Sequence, residues 1–209
     1  MTLEFRQRLP ILILVIAISL VTVIDWIIGL PALQAVPFDL TLAWKSVLAG
    51  NGSGSTASTF LTSISVVFLH ADASHVVWNM IFFWIFGVAV IEIVGSRWAI
   101  AIFLITAIGA TIGHVITEPF NSIPMVGASG AVMGFEGAYL GLAVQKTRPD
   151  TRMWPIASPV SPAQLGAVGV FGVMMDFMGI TSPDPSNVAY GAHIGGFITG
   201  MVLVFFRRA

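Results

Sequence analysis

Read only for apolar and polar positions, the chain is six long apolar stretches separated by polar segments that carry glycine and proline. The stretches are 9–30, 76–94, 98–117, 129–145, 164–180 and 187–206. A helix rises about 1.5 Å per residue, so roughly 20 residues cross a hydrocarbon layer of about 30 Å. The pattern therefore predicts an all-α membrane protein: a polytopic bundle of six transmembrane helices forming one domain over 1–209. Small residues recur four apart at Gly109/Gly113, Gly130/Gly134, Gly137/Gly141, Gly191/Gly195 and Gly196/Gly200. Such pairs let helix backbones approach closely in lipid, so the spans are expected to pack against one another. The apolar stretch 60–69 is too short to cross and is expected as loop structure at the interface. The longest connection, 31–74, holds Phe38 to Lys45, expected as an interfacial helix with Trp44 at headgroup depth, and a glycine- and serine-rich turn at 50–58. Polar, proline-bearing loops are expected at 149–162 and 181–186.

Composition narrows this picture. Apolar residues make up 56% of the chain and charged residues 9%, with a mean hydropathy of +0.93, which argues against a soluble domain of this length. The partner this implies is the lipid bilayer. A net charge of −1 without a basic tract gives no sign of nucleic-acid binding. The absence of cysteine removes disulfides, thiolate catalysis and cysteine-based metal sites. The first stretch follows Arg6 and Arg8 as a signal peptide would, but it exceeds a typical signal core and no convincing small-x-small cleavage site follows it, so a retained helix is expected. With the N-terminus inside, Arg6, Arg8, Arg97, Lys146, Arg148, Arg152, Arg207 and Arg208 fall on the cytoplasmic side and only Lys45 outside. The positive-inside rule then predicts a multi-pass protein of the plasma membrane with both termini cytoplasmic. In that orientation the fourth and sixth spans begin at the outer face.

Those two spans open on the chemistry. The fourth starts with Gly127-Ala-Ser129-Gly130 and the sixth with Gly191-Ala-His193-Ile-Gly-Gly196. A serine hydroxyl attacks a carbonyl once a base removes its proton, and the first amides of a helix are unpaired donors for an oxyanion. Ser129 can equally serve as a helix cap. Histidine inside a span is costly and usually functional, and apolar surroundings favour the neutral imidazole that a base requires; a buried histidine bonded to a carbonyl is the alternative. Together the two point to a nucleophile and its base. Before the second span the chain reads His70-Ala-Asp72-Ala-Ser74-His75, then Asn79. His75 and Asn79 share a helix face and both can donate to an oxyanion. His70 and His75 could instead be metal ligands, yet neither a carboxylate nor His-Glu-x-x-His completes a zinc pattern, so no metal and no cofactor is expected.

The chain resembles the rhomboid intramembrane serine proteases of the minimal six-helix prokaryotic type. The resemblance rests on His70, His75 and Asn79 at the family's His-x4-His-x3-Asn, on Gly127, Ser129 and Gly130 at Gly-x-Ser-Gly, and on Ala192, His193, Gly196 and Gly200 at Ala-His-x2-Gly-x3-Gly. It implies Ser129 as nucleophile and His193 as base, a dyad with no acidic third member. It further implies an oxyanion hole of His75, Asn79 and the Ser129 backbone amide. Gly127, Gly130, Gly196 and Gly200 would pack the helices around the site. Substrates would be transmembrane proteins, cut near the outer face after a small residue and before helix-weakening ones.

Two positions depart from the family pattern. The glutamate common four residues after the glycine matching Gly87 is replaced by Ile91, with Glu92 one later; the aromatic residue common four after the serine is Met133. Three acids lie within spans. A triad acid is possible in principle, but Glu136 sits seven residues after Ser129, about 10 Å deeper along the axis, and is read as facing an internal polar cavity, protonated or bonding a neighbouring helix; no catalytic role is expected for it, Asp25 or Asp176. A catalytically silent relative that captures membrane helices is the alternative function, and the intact Ser129 and His193 argue against it. Transport, for which Glu136 and Asp176 are the only sequence support, is outweighed by the paired motifs.

Overall fold

The computed structural model describes residues 3–29, 61, 63–117, 125–145, 161–180 and 188–207. The expected interfacial helix with Trp44, the turn at 50–58 and most of the loops at 149–162 and 181–186 lie outside the described residues. Every regular element among those described is helical. Six α-helices follow in order: α1 Leu3–Ile28, α2 Ala73–Val94, α3 Ser96–Thr117, α4 Ser129–Val144, α5 Pro162–Ile180 and α6 Tyr190–Leu203. A 3-10 turn at Val66–Phe68 precedes α2, and another at Val204–Phe206 extends α6.

All six apolar stretches form helices, but they are not alike. Four are long and apolar enough to cross a membrane: α1, α2, α3 and α5. The helix α4 has 16 residues and α6 has 14 before its 3-10 turn, about 24 Å and 21 Å at 1.5 Å per residue. Both are shorter than the hydrocarbon layer, so helices confined to it can begin below its surface. These are the helices that start with Ser129 and follow Ala189 into His193.

Glycine decides how they pack. A methyl built on Gly196 would overlap the carbonyl oxygen of Gly130, and one on Gly200 the carbonyl oxygen of Gly134. On the other side of α6, a methyl on Gly195 would lie 2.8 Å from the Gly113 Cα, and Gly191 sits against Thr117 and the Gly113 carbonyl. Thus α6 presents one glycine face to α4 and another to α3, and the four-apart pairs seen in the sequence lie at these contacts. Aromatic side chains fill the rest of the interior: Phe83 of α2 stacks on Phe103 of α3 at 5.6 Å and meets Phe135 of α4 edge-on at 5.2 Å. Large apolar side chains such as Ile13, Leu20, Phe171 and Phe177 face outward, the arrangement expected where the solvent is lipid.

The segment before α2 corrects an expectation. Within 60–69 the described residues turn helically at 63–65 and then as a 3-10 turn, and Ser63, Val66, Val67 and Leu69 are buried. A stretch too short to cross is still apolar enough to be drawn into the interior, Val67 in the cluster that holds Ile11 and Ile18 of α1, and Val66 with Ala110 and Ala192. At the opposite end, Ile91 is fully buried and Glu92 turns outward to Arg8 of α1, whose Nε donates to its Oε1 at 2.8 Å. The shifted glutamate therefore ties α2 to α1.

Candidate active site

The loop entering α4 is held in place by groups from three other segments. Gly127 adopts φ +111°, which a side chain would strain, and a methyl there would lie 2.7 Å from the His75 ring. Its amide donates to the Val66 carbonyl at 3.2 Å. The next amide, Ala128, donates to Nε2 of His70 at 3.3 Å. With Nε2 accepting, the His70 proton sits on Nδ1 and is directed to Thr22 Oγ1 at 3.0 Å, whose hydroxyl in turn donates to the Phe68 carbonyl at 2.9 Å. Trp26 of α1 donates to the His70 carbonyl at 3.0 Å. Both ring nitrogens of His70 are thus engaged, which removes it as a metal ligand. Burial, followed by the neighbouring His75, pushes its pKa down to about 3, while Asp72 opposes the shift. His70 is a neutral structural clamp, and no group of three potential ligand side chains occurs among the described residues.

Asp72 caps α2 by accepting from the His75 amide at 2.8 Å and the Ser74 hydroxyl at 2.6 Å. Those two bonds, the hydroxyl's first, hold its carboxyl below the usual range. The cap fixes the first turn of α2, so His75 and Asn79, one turn apart, flank Gly127: the Asn79 amide nitrogen is 3.7 Å from where a Gly127 methyl would be. Asn79 is buried and His75 half-buried, its ring edge-on to His70 at 5.0 Å. Ser129 lies inside the first turn of α4, after the cap position Ala128. The first bond of the helix runs from the Val132 amide to the Ala128 carbonyl, leaving the Ser129 amide outside the intrahelical ladder.

Ser129 and His193 open onto one cavity of about 750 Å³, together with His75 and Asn79. Their chain neighbours pack together, since a Gly130 methyl would lie 3.2 Å from the Ala192 carbonyl oxygen. Met133 joins the wall, and Trp78, Phe82, Phe171 and Met175 give it an apolar lining. Glu136 also reaches the cavity, its Oε2 buried without a hydrogen-bond partner among the described residues. Asp25 is not among the lining residues.

Of the ionisable lining residues, His114 was not marked by sequence reasoning, and Asp176 was marked only as an acid within a span with no catalytic role expected. His114 of α3 is buried at the wall; a histidine within a span was the available signal. Asp176 of α5 comes within hydrogen-bond distance of the base candidate, its Oδ1 2.8 Å from Nδ1 of His193. The resemblance implied a histidine with no acidic partner, and here a carboxylate meets it. Seventeen residues on different helices leave no periodic trace of such a pair.

The sequence is similar to known proteins of one family. A model of the Rhomboid domain matches residues 57–209. Over 192 residues, 90% of this chain and 89% of the relative, the sequence is 25% identical to the Bacillus subtilis protein named "Putative rhomboid protease YdcA". It is 28% identical to rhomboid protease GluP of Bacillus subtilis over 66% of this chain and 24% of GluP. With rhomboid protease GlpG of Salmonella newport it shares 26% identity over 66% of this chain and 45% of GlpG.

Proposed function

Since the chain belongs to the rhomboid family and is a multi-pass membrane protein, we propose that it is a serine endopeptidase that hydrolyses a peptide bond in or near the transmembrane segment of its protein substrates. The observation that carries this reading is the opening of Ser129 and His193, from two glycine-paired helices, onto one cavity beside His75 and Asn79. The Ser129 oxygen attacks the scissile carbonyl carbon while His193 takes its proton at Nε2. The carbonyl electron pair moves onto oxygen, where His75, Asn79 and the Ser129 amide donate to it. Collapse expels the amine, which receives the proton from His193, and water, its proton taken by His193, then attacks the acyl-enzyme so that the new carboxyl end leaves and Ser129 regains its proton. The Ala128 and Gly127 amides are spent on His70 and Val66, so the oxyanion is left to the next amide along. The cation distribution supports a site near the outer face of the plasma membrane, with both termini cytoplasmic.

The test is cleavage of a panel of fluorescent transmembrane substrates by the purified protein, beside Ser129→Ala and His193→Ala. Both variants should stay folded and inactive, and a fluorophosphonate should label the wild type at Ser129. Proteolysis by Ser129→Ala at the wild-type rate would refute the assignment.

A further inference from the structure

We propose that Asp176 is a positioning residue for His193, extending the serine–histidine pair to a serine–histidine–aspartate triad anchored on α5. This rests on the protease reading above. Its Oδ1 lies 2.8 Å from Nδ1 of His193, with side-chain exposures of 11% for the aspartate and 17% for the histidine. The helix that carries it is otherwise apolar along this stretch: Phe171, Met174, Met175, Phe177 and Met178 are exposed, whereas Asp176 is turned inward and buried. A carboxylate in such surroundings is costly without a partner, and His193 is its hydrogen-bond partner among the described residues. Glu136, the other acid at this cavity, leaves Oε2 unpartnered, so the wall is not simply lined by carboxylates that pair with whatever is near.

The chemistry of the contact follows from the two ring nitrogens. An aspartate accepting from Nδ1–H fixes the neutral ring with its lone pair on Nε2, the form that removes a proton. As the Ser129 oxygen bonds to the carbonyl carbon, its proton passes to Nε2 and the ring becomes positive. Asp176 goes on accepting from Nδ1–H and stabilises that cation. The proton leaves Nε2 for the amine nitrogen as the carbon–nitrogen bond breaks, so Asp176 neither gains nor loses one. An asparagine at 176 can turn its amide N–H towards Nδ1, which moves the ring proton to Nε2 and blocks the base.

The experiment uses the full chain in detergent, with Asp176→Asn, Asp176→Glu and Ser129→Ala measured for kcat, KM, fluorophosphonate labelling rate and Tm. In serine proteases with a complete triad, replacing the aspartate lowers kcat by about 10,000-fold. Asp176→Asn is expected to lose about 100- to 10,000-fold in kcat, with KM and Tm near wild type and labelling slowed in parallel. Asp176→Glu should recover at least about tenfold of that loss. A kcat within about threefold of wild type in Asp176→Asn overturns the proposal. So does a loss that follows a fall in Tm and that glutamate does not recover, because Asp176 would then be a packing residue. Proteolysis by Ser129→Ala refutes the protease reading itself; an inactive Ser129→Ala beside a fully active Asp176→Asn refutes only the role of Asp176. The labelling rate keeps the comparison open if the chosen substrate is poor.

Discussion

Gly196→Ala is expected to damage turnover more than its single methyl suggests. The added carbon would overlap the Gly130 carbonyl oxygen and lie 2.8 Å from the carbonyl carbon, where ordinary contacts begin at 3.4 Å. The opposing atoms are backbone, so no side chain can swing away, and α4 and α6 must part by on the order of 1 Å. Overpacking of this kind costs about 1–3 kcal/mol, and the displacement falls between Ser129, one residue before Gly130, and His193, three before Gly196. Misplacing reacting groups by about 1 Å can cost on the order of 100-fold. Gly196→Ala should therefore lose about 100-fold in kcat together with a measurable fall in Tm. Gly166→Ala of α5 is the control: its methyl would meet only Leu140 Cδ2 at 3.6 Å, and both quantities should stay near wild type. Melting temperature and kcat measured on one preparation decide the matter. Wild-type turnover in Gly196→Ala, with Tm unchanged, would show that the two helices can part without cost and would refute the packing argument.

Further outcomes are expected. Asn79→Ala should lower kcat at the lower end of about 100- to 1,000-fold, because His75 and the Ser129 amide share the load, with KM little changed; unchanged kcat removes Asn79 from the oxyanion hole. His70, neutral when folded because its pKa is near 3, takes up a proton on unfolding at any pH between that value and the ordinary 6.5 or so. Stability should fall as pH drops from 6.5 towards 3, by up to about 1.4 kcal/mol per pH unit. His70→Gln should flatten the dependence of Tm on pH, and an unaltered slope would exclude this origin. For topology, an impermeant thiol reagent on intact cells should modify Ala71→Cys and spare Gln145→Cys, both exposed positions on a cysteine-free chain; the reverse pattern rejects the orientation.

The helices were legible because apolar run length answers directly to membrane thickness, and the glycine contacts because four-apart spacing puts small residues on one face. Expected starts at 76, 164 and 187 differ from those observed at Ala73, Pro162 and Tyr190, since Asp72 sets the first of them by capping and hydropathy does not register a cap. The motif residues Ser129, His193, His75 and Asn79 could be picked out by type and spacing, and the structure brings all four to one cavity. What was not legible depends on distance in space between distant residues. Nothing in the order of residues pairs Asp176 with His193, Glu92 with Arg8, or His70 with Thr22. The burial of Val66 likewise comes from its packing with Ala110, Val115, Met125 and Ala192, all distant in the chain, and not from its own pattern.

The clamp at His70 has a consequence for what counts as a module. The family match begins at residue 57, and α1 lies wholly before it. Yet the chain of contacts from Thr22 through His70 to the Ala128 amide ends one residue short of Ser129. The portion recognised by resemblance and the portion that sets the geometry of the serine are therefore different lengths of chain. A transplanted 57–209 would carry every motif residue and lack the hydroxyl that receives the His70 proton. Grafting this protein onto another leader helix would need a donor-acceptor side chain at the level of Thr22, and the inheritance of α1 is tied to that of the nucleophile's loop by one imidazole.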